Sequence, residues 1–333
     1  MKQTDKIYVA GHRGLMGSAI VRRLKELGRT NLLLRTHQQL DLTNQQDVQQ
    51  FLELERPRYV FLAAAKVGGI LANATYPADF IRQNLLIQSN VIHQAYRSGV
   101  EQLLFLGSSC IYPKHAPQPM KEEYLLSGPL EETNRAYAVA KVAGIEMCWS
   151  YNRQFGTRFL AAMPTNLYGP GDRYDLHDSH VVPAMIRKMH EAKVSGAGEV
   201  LLWGTGTPRR EFLYSYDAAD ACVALMNLSD NKLDSIVQND SLAPIVNIGC
   251  GHDVTIRELA GSVAGVVGFD GKVVFDTTRP DGTPRKLLDT SRLTALGWRP
   301  RVSLLEGLAL TYKDFLENRV SMTHSGQTSE SVA

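Results

Sequence analysis

Only four cysteines occur in the 333 residues, Cys110, Cys148, Cys222 and Cys250. They stand far apart with no C-x-x-C pair, so neither a zinc site nor a disulfide framework is indicated, and a reducing compartment suits them. Long apolar runs are also missing. Met1-Lys2-Gln3-Thr4-Asp5 leads directly into a strand-like segment, without the core of a signal peptide or a membrane span. Excess charge of one sign is absent as well: 36 Lys and Arg face 34 Asp and Glu, and the basic residues are dispersed. The electrostatic footprint of a nucleic-acid binder is therefore lacking. Together these absences lead to the expectation of a soluble cytoplasmic protein with a small-molecule partner, no metal, no nucleic acid and no membrane.

What is present is the composition of an ordinary folded protein, 44% apolar and 21% charged. The length is large for one core, which favours a main domain with a smaller lobe. Short β-branched runs at Lys6 to Ala10, Asn31 to Arg35, Tyr59 to Leu62, Gln102 to Gly107 and Arg158 to Pro164 alternate with helical patterns. Those patterns span Leu15 to Leu27, Asn44 to Glu55, Pro77 to Ser98 and Ala138 to Phe155. This rhythm predicts an α/β fold, a doubly wound parallel sheet with ligands at the carboxyl ends of its strands. After Pro164 the pattern becomes irregular, with Gly/Pro loops around Gly169-Pro170-Gly171 and Gly204 to Pro208. The division predicted is residues 1–165 for nucleotide binding and 166–319 for a smaller α/β substrate lobe. Segments such as Ile245 to Ile248 return to the large sheet, and the polar, Ser/Thr-rich stretch 320–333 is expected to be a disordered tail.

The first strand runs into Gly11, His12, Arg13, Gly14, Leu15, Met16 and Gly17, and then into a helix. That is the context of a dinucleotide fingerprint: Gly11 and Gly14 let a pyrophosphate approach the backbone, the helix N-terminus favours its charge, and Gly17 allows close helix–strand packing. The second strand ends Leu34-Arg35-Thr36-His37 with no acid to hold a ribose hydroxyl. Arg35 and Arg13 would instead suit a 2′-phosphate, so NADP is preferred over NAD, and Asp41-Leu42 would line the adenine pocket.

The fourth strand delivers Ser108-Ser109-Cys110 to the crevice. In an extended chain side chains two apart share a face, so Ser108 and Cys110 should meet one ligand. Tyr137 and Lys141 are four apart on a helix, where the ammonium should make the phenol easier to deprotonate. Ser108 and Tyr137 would then bind a carbonyl oxygen, with Cys110 beside it as a base. Alone, Cys110 is a small apolar filler and Ser108 a turn cap; their shared phase and the order of the other signals favour chemistry.

Several stretches resemble the extended short-chain dehydrogenase/reductases nearly throughout the chain. They are Gly11 to Gly17, Ala63-Ala-Ala-Lys-Val-Gly-Gly69, Gly107-Ser-Ser-Cys-Ile-Tyr-Pro113, Tyr137-Ala-Val-Ala-Lys141, Pro164-Thr-Asn-Leu-Tyr-Gly-Pro170, Ser179-His180 and Pro280-Asp-Gly-Thr-Pro-Arg-Lys286. Within that family the resemblance implies action on GDP-4-keto-6-deoxy-D-mannose, with inversion at carbons 3 and 5 followed by NADPH-dependent reduction at carbon 4. It implies Cys110 as base and His180 as acid in the inversions, with Ser108, Tyr137 and Lys141 assisting reduction. It also implies nicotinamide contacts from Leu106, Gly107, Ser108, Ser109, Lys141, Pro164, Thr165, Asn166, Leu167 and His180. Lys188, Trp203, Arg210 and Asp281 are the implied nucleotide-sugar contacts. His37 stands beside Arg35 where the family pattern often has a cation. Arg209 competes with Arg210 for the diphosphate, and Trp203 would serve equally in core packing. The family's helices corresponding to Pro77 to Ser98 and Ala138 to Phe155 pair in two-fold dimers, which implies a homodimer. The rival readings are a dehydratase or 4-epimerase of the same superfamily and a non-catalytic NADP-sensing protein.

Overall fold

The computed structural model describes residues 1–175, 179–279 and 281–326. Its first half runs β1 (Ile7–Ala10), α1 (Leu15–Glu26), β2 (Leu32–Leu33), α2 (Gln45–Glu55), β3 (Tyr59–Leu62), α3 (Ile70–Thr75) and α4 (Pro77–Arg97). It continues with β4 (Gln102–Leu106), α5 (Arg135–Phe155) and β5 (Arg158–Pro164). The second half begins with β6 (Asn166–Tyr168), α6 (Val181–Ser195), β7 (Glu199–Trp203), β8 (Arg209–Arg210), β9 (Phe212–Tyr214), α7 (Ser215–Leu225) and α8 (Asp230–Val237). It ends with β10 (Ile245–Ile248), β11 (Val254–Thr255), α9 (Ile256–Val267), β12 (Lys272–Asp276), β13 (Arg285–Lys286), α10 (Ser291–Ala295) and α11 (Leu304–Gly326).

Six strands form one parallel sheet in the order β10-β5-β4-β3-β1-β2, the doubly wound arrangement expected. β1 and β3 are buried along their whole length because the sheet has no solvent face. Period-two alternation divides their side chains between two cores. Tyr8, Ala10, Val60, Leu62, Leu103 and Phe105 pack on one side with residues of α2, α4 and α5. Ile7, Val9, Tyr59, Phe61, Leu104 and Leu160 pack on the other with α1, α7 and α8. Ile245–Ile248 joins this sheet as β10, pairing with β5, so a late segment does return to it.

The smaller lobe has its own core, in which Val182, Met185 and Met189 meet Phe212, Leu259, Val263 and Phe315. Its strands are short and set in three small sheets: β11-β8-β13, β12-β7 and β6-β9. α9 opens with a capping box between Thr255 and Glu258. Among the described residues no helix is long and apolar enough to cross a membrane. The tail behaves differently from the expectation at its start, because α11 continues from Leu304 to Gly326 and takes in residues expected to be disordered. The last seven residues, 327–333, lie outside the described residues.

Polar side chains of α4 reach inward and fix the elements that carry the crevice. Asn84 accepts from the Lys66 N–H at 3.0 Å and donates to the Lys66 carbonyl at 3.0 Å, fastening the loop after β3. Gln88 donates to the Ala140 carbonyl of α5 at 2.6 Å. α5 itself lies tightly on β4, since a Cβ at Gly144 would come within 2.5 Å of the Phe105 ring and 2.9 Å of Gln88 Oε1. Gly144→Val is expected to lower the stability to urea by about 1–3 kcal/mol through overpacking, whereas an unchanged urea midpoint would show that α5 is free to move off the sheet.

Candidate active site

The turn after β1 is built for close backbone approach. Gly11 has φ +80°, and a Cβ on Gly17 would lie 2.0 Å from the Gly11 carbonyl oxygen. No side chain caps α1 at Gly14, so the helix N-terminus offers its amide groups outward. This cradle fits a dinucleotide pyrophosphate. Arg13 is exposed beside it. The Arg35 guanidinium pairs with Glu55 at 2.8 Å and lies 5.3 Å from the centre of the Phe51 ring. His37 is exposed and sits 3.7 Å from Asp41. Asp41 accepts from the Thr43 amide and hydroxyl, while the Leu42 carbonyl accepts from Asn90 at 2.9 Å. Thr165 and Asn166 hydrogen-bond the Glu211 carbonyl from the strand-end segment that also carries Pro164 and Leu167.

At the end of β4 the chain turns differently from the extended course expected. Residues Ser109–Ile111 form one turn of 3₁₀ helix, and Ser108 caps it, its Oγ accepting the Cys110 N–H at 3.4 Å. The closeness of Ser108 and Cys110 therefore comes from a cap and a turn, not from strand alternation. The Ser108 hydroxyl lies near enough to the Tyr137 phenol and the Cys110 thiol to favour the ionised form of each, so three of the expected groups share one pocket. Lys141 is 3% exposed; its Nζ donates to the Leu106 carbonyl at 2.7 Å and stands 5.7 Å from the centre of the Tyr137 ring.

Burial dominates the ionisation of this group. It raises the Tyr137 phenol above its ordinary range, an effect deepened by Cys110 and opposed by the Ser108 hydrogen bond. The expectation that Lys141 makes Tyr137 an easily lost proton is thus reversed: at neutral pH Tyr137 is a hydrogen-bond donor. Desolvation pushes Lys141 itself down to about 8. The Cys110 thiol is raised by burial, against the Ser108 hydrogen bond and then the charges of Lys286 and Lys141.

His180 occupies the N-cap of α6, exposed on one side and crowded by protein on the others, and that crowding disfavours its charged form. No hydrogen bond joins it to Ser108, Cys110 or Tyr137. The structure separates the two competing arginines. Arg209 is held by Asp253, through Nε to Oδ1 at 2.8 Å and Nη2 to the carbonyl at 2.8 Å. The guanidinium of Arg210, a half-buried residue, bonds the Arg209 carbonyl at 2.8 Å and feels the nearby Asp281. Asp281 ties down the loop after β7, accepting from the Thr205 amide at 2.9 Å and its hydroxyl at 2.7 Å. Trp203 is 62% exposed, which removes the core-packing alternative, and Arg279 lies 5.1 Å from the centre of its ring. Lys188 donates to the Leu201 carbonyl at 3.3 Å.

Lys286 was missed by sequence reasoning. It pairs in register with Arg210 across β8 and β13, and its charge acts on Cys110. The clue lay in the Pro-Arg-Lys run that closes a stretch already singled out, but a two-residue strand leaves no periodicity to read.

These features meet a clear set of relatives. Residues 7–249 match the model of the NAD dependent epimerase/dehydratase family. The chain belongs to that family. It is 59% identical to GDP-L-fucose synthase 1 of Arabidopsis thaliana, over 95% of this chain and 94% of that protein. It is 53% identical to GDP-L-fucose synthase of Escherichia coli, over 95% and 98%. Among solved structures, a GDP-L-fucose synthetase from Naegleria fowleri bound to NADP superposes with TM-score 0.83 at 26% identity, covering 96% of this chain and 97% of the other.

The order of the two cations acting on the thiol supplies a test. Lys286→Met should move the pH at which Cys110 is alkylated by iodoacetamide further upward than Lys141→Met does, followed by mass spectrometry of the Cys110 peptide. An unshifted profile in both variants would mean that neither amine acts on the thiol.

Proposed function

We propose that this protein catalyses the reaction of GDP-L-fucose synthases: inversion of GDP-4-keto-6-deoxy-D-mannose at carbons 3 and 5, then NADPH-dependent reduction at carbon 4, giving GDP-L-fucose. The observation that carries the reading is the pocket at the end of β4, where Ser108 caps the turn of Cys110 and Lys141, bonded to the Leu106 carbonyl, stands 5.7 Å from the Tyr137 ring. Relatives of that name covering nearly the whole chain support it.

The carbonyl oxygen at carbon 4 is held by the Ser108 and Tyr137 hydroxyls. Carbons 3 and 5 flank that carbonyl, so both lose a proton only if negative charge on its oxygen is stabilised, and two fixed donors do so. Cys110 takes the proton as its thiolate, a form favoured by Lys286 and Lys141. Because burial keeps its pKa high, the thiolate is a minor species but a strong base, suited to a carbon acid. Inversion requires a proton from the opposite face, and His180 supplies it; the disfavoured imidazolium gives up its proton readily.

When bound, NADPH supplies the hydride that reduces carbon 4. Gly11 to Gly17 would hold its pyrophosphate, Arg13 would serve the 2′-phosphate, and Leu106 to Ser109 with Pro164 to Leu167 would border the nicotinamide. Tyr137, kept protonated by its surroundings, donates to the oxygen as it becomes an alkoxide. Lys141 fixes the phenol's setting through its bond to the β4 carbonyl. Arg210, whose planar fork meets no carboxylate in an ion pair among the described residues, takes the diphosphate, and Trp203 and Lys188 line the nucleotide end.

A cytoplasmic homodimer completes the reading. All four cysteines are free. α4 and α5 share an aromatic seam, in which Tyr96 stacks on Phe155 with centres 4.3 Å apart and His93 meets the Tyr151 hydroxyl at 2.7 Å. Phe155 is 44% exposed there, as a residue awaiting a second copy would be.

Wild-type protein mixed with the keto sugar is expected to consume NADPH steadily, and Tyr137→Phe to lower kcat by roughly 10²–10³ with little change in KM, since it removes a transition-state proton donor. Absence of NADPH consumption by the wild type would defeat the reading, and full activity in the variant would remove Tyr137 from the chemistry.

A further inference from the structure

Glu211 lies immediately after Arg210, is 0% exposed, and none of the steps above uses it. Its Oε1 accepts from the backbone N–H groups of Cys250 and Gly251, each at 2.7 Å, just beyond the carboxyl end of β10. Its Oε2 accepts from the Leu288 N–H at 3.0 Å, just beyond β13. Its own N–H donates to the Lys286 carbonyl at 3.2 Å. Its carbonyl receives the Thr165 hydroxyl at 3.2 Å and the Asn166 amide at 2.9 Å. The backbone at residue 249 is shaped around it, because a Cβ on Gly249 would fall 2.3 Å from Oε1.

Glu211 thus ties four segments: its carboxylate joins the sheet end that follows β10 to the end of β13, while its backbone N–H and carbonyl, next to Arg210 of β8, reach Lys286 and the stretch at the start of β6. We infer that Glu211 is a positioning residue, which fixes Arg210 and Lys286 relative to Cys110 and so sets the binding of the nucleotide sugar. The inference rests on the function proposed above. An ionised carboxylate is an acceptor on every lone pair and matches three converging N–H donors; an amide cannot, since one end of it would present hydrogens to a backbone N–H. β8 and β13 are only two residues long, so their own ladder cannot hold the two cations in place. The anchoring comes from outside the ladder, through this carboxylate.

The test compares the full-length wild type with Glu211→Gln and with Gly249→Ala, which keeps the charge but crowds the carboxylate. Each variant is expected to raise KM for the keto sugar about tenfold or more, with a smaller fall in kcat, as loss of one charge-assisted hydrogen bond's worth of alignment would do. The NADPH affinity, read by fluorescence titration, should stay within about twofold, because the Gly11 to Gly17 cradle shares none of these bonds and the start of β6 is held by the Glu211 backbone carbonyl, which both variants keep. An unchanged KM in a folded variant, equal loss of affinity for both ligands, or failure of both variants to fold would overturn the inference and leave Glu211 a stability residue. If the wild type does not reduce the keto sugar, the functional reading fails separately, and the same comparison is read with GDP as the probe by calorimetry.

Discussion

The bond from the Lys141 ammonium to the Leu106 carbonyl, 2.7 Å long and closed off from water, is the constraint on which the site depends. A buried amine without a partner would be costly, and this one finds its partner at the last residue of β4. The bond locks the start of α5 to the end of that strand. Tyr137 then stands one helical turn before Lys141, and Ser108 two residues past Leu106, so the two hydroxyls meet. Gly144 permits the arrangement further along the helix, where anything larger would strike Phe105 and lift α5 from the sheet.

Electrostatics in this pocket come from burial more than from pairing. Phenol and thiol are both held in their neutral forms and both nearby amines are pushed toward neutrality, with Lys141 at about 8. A pocket of neutral donors that keep their protons is suited to an oxygen whose charge comes and goes. In the proposed mechanism the same two hydroxyls serve the enolate formed in either inversion and the alkoxide formed in reduction, which lets one site carry three steps. Next to this pocket Lys286 pairs in register with Arg210, the residue proposed to take the diphosphate.

Much of this was legible in the sequence, and the failures are instructive. Periodicity located β3 and β5 at their observed bounds because strands buried on both faces have unbroken apolar runs. Motif spacing found Ser108, Cys110, Tyr137 and Lys141, which the fold does bring together. The reasons given for two of them were wrong. Ser108 and Cys110 meet through a capped 3₁₀ turn, which short polar sequences do not announce, and the Tyr137 phenol is raised because desolvation outweighs the help of the Ser108 hydroxyl. Arg35 read as a phosphate ligand, yet Glu55, twenty residues on, claims it. Lys286 and Glu211 escaped notice because their importance lies in tertiary pairing across strands of two and three residues, which no local pattern encodes.

The central claim is that one oxygen pocket makes the hydrogens on both neighbouring carbons labile, with Cys110 as the base. Incubating the keto sugar with the protein in deuterium oxide, without NADPH, tests it most directly. The account predicts that deuterium enters carbons 3 and 5 with wild type and that Cys110→Ser all but abolishes the exchange. Exchange at the wild-type rate in that variant would contradict it.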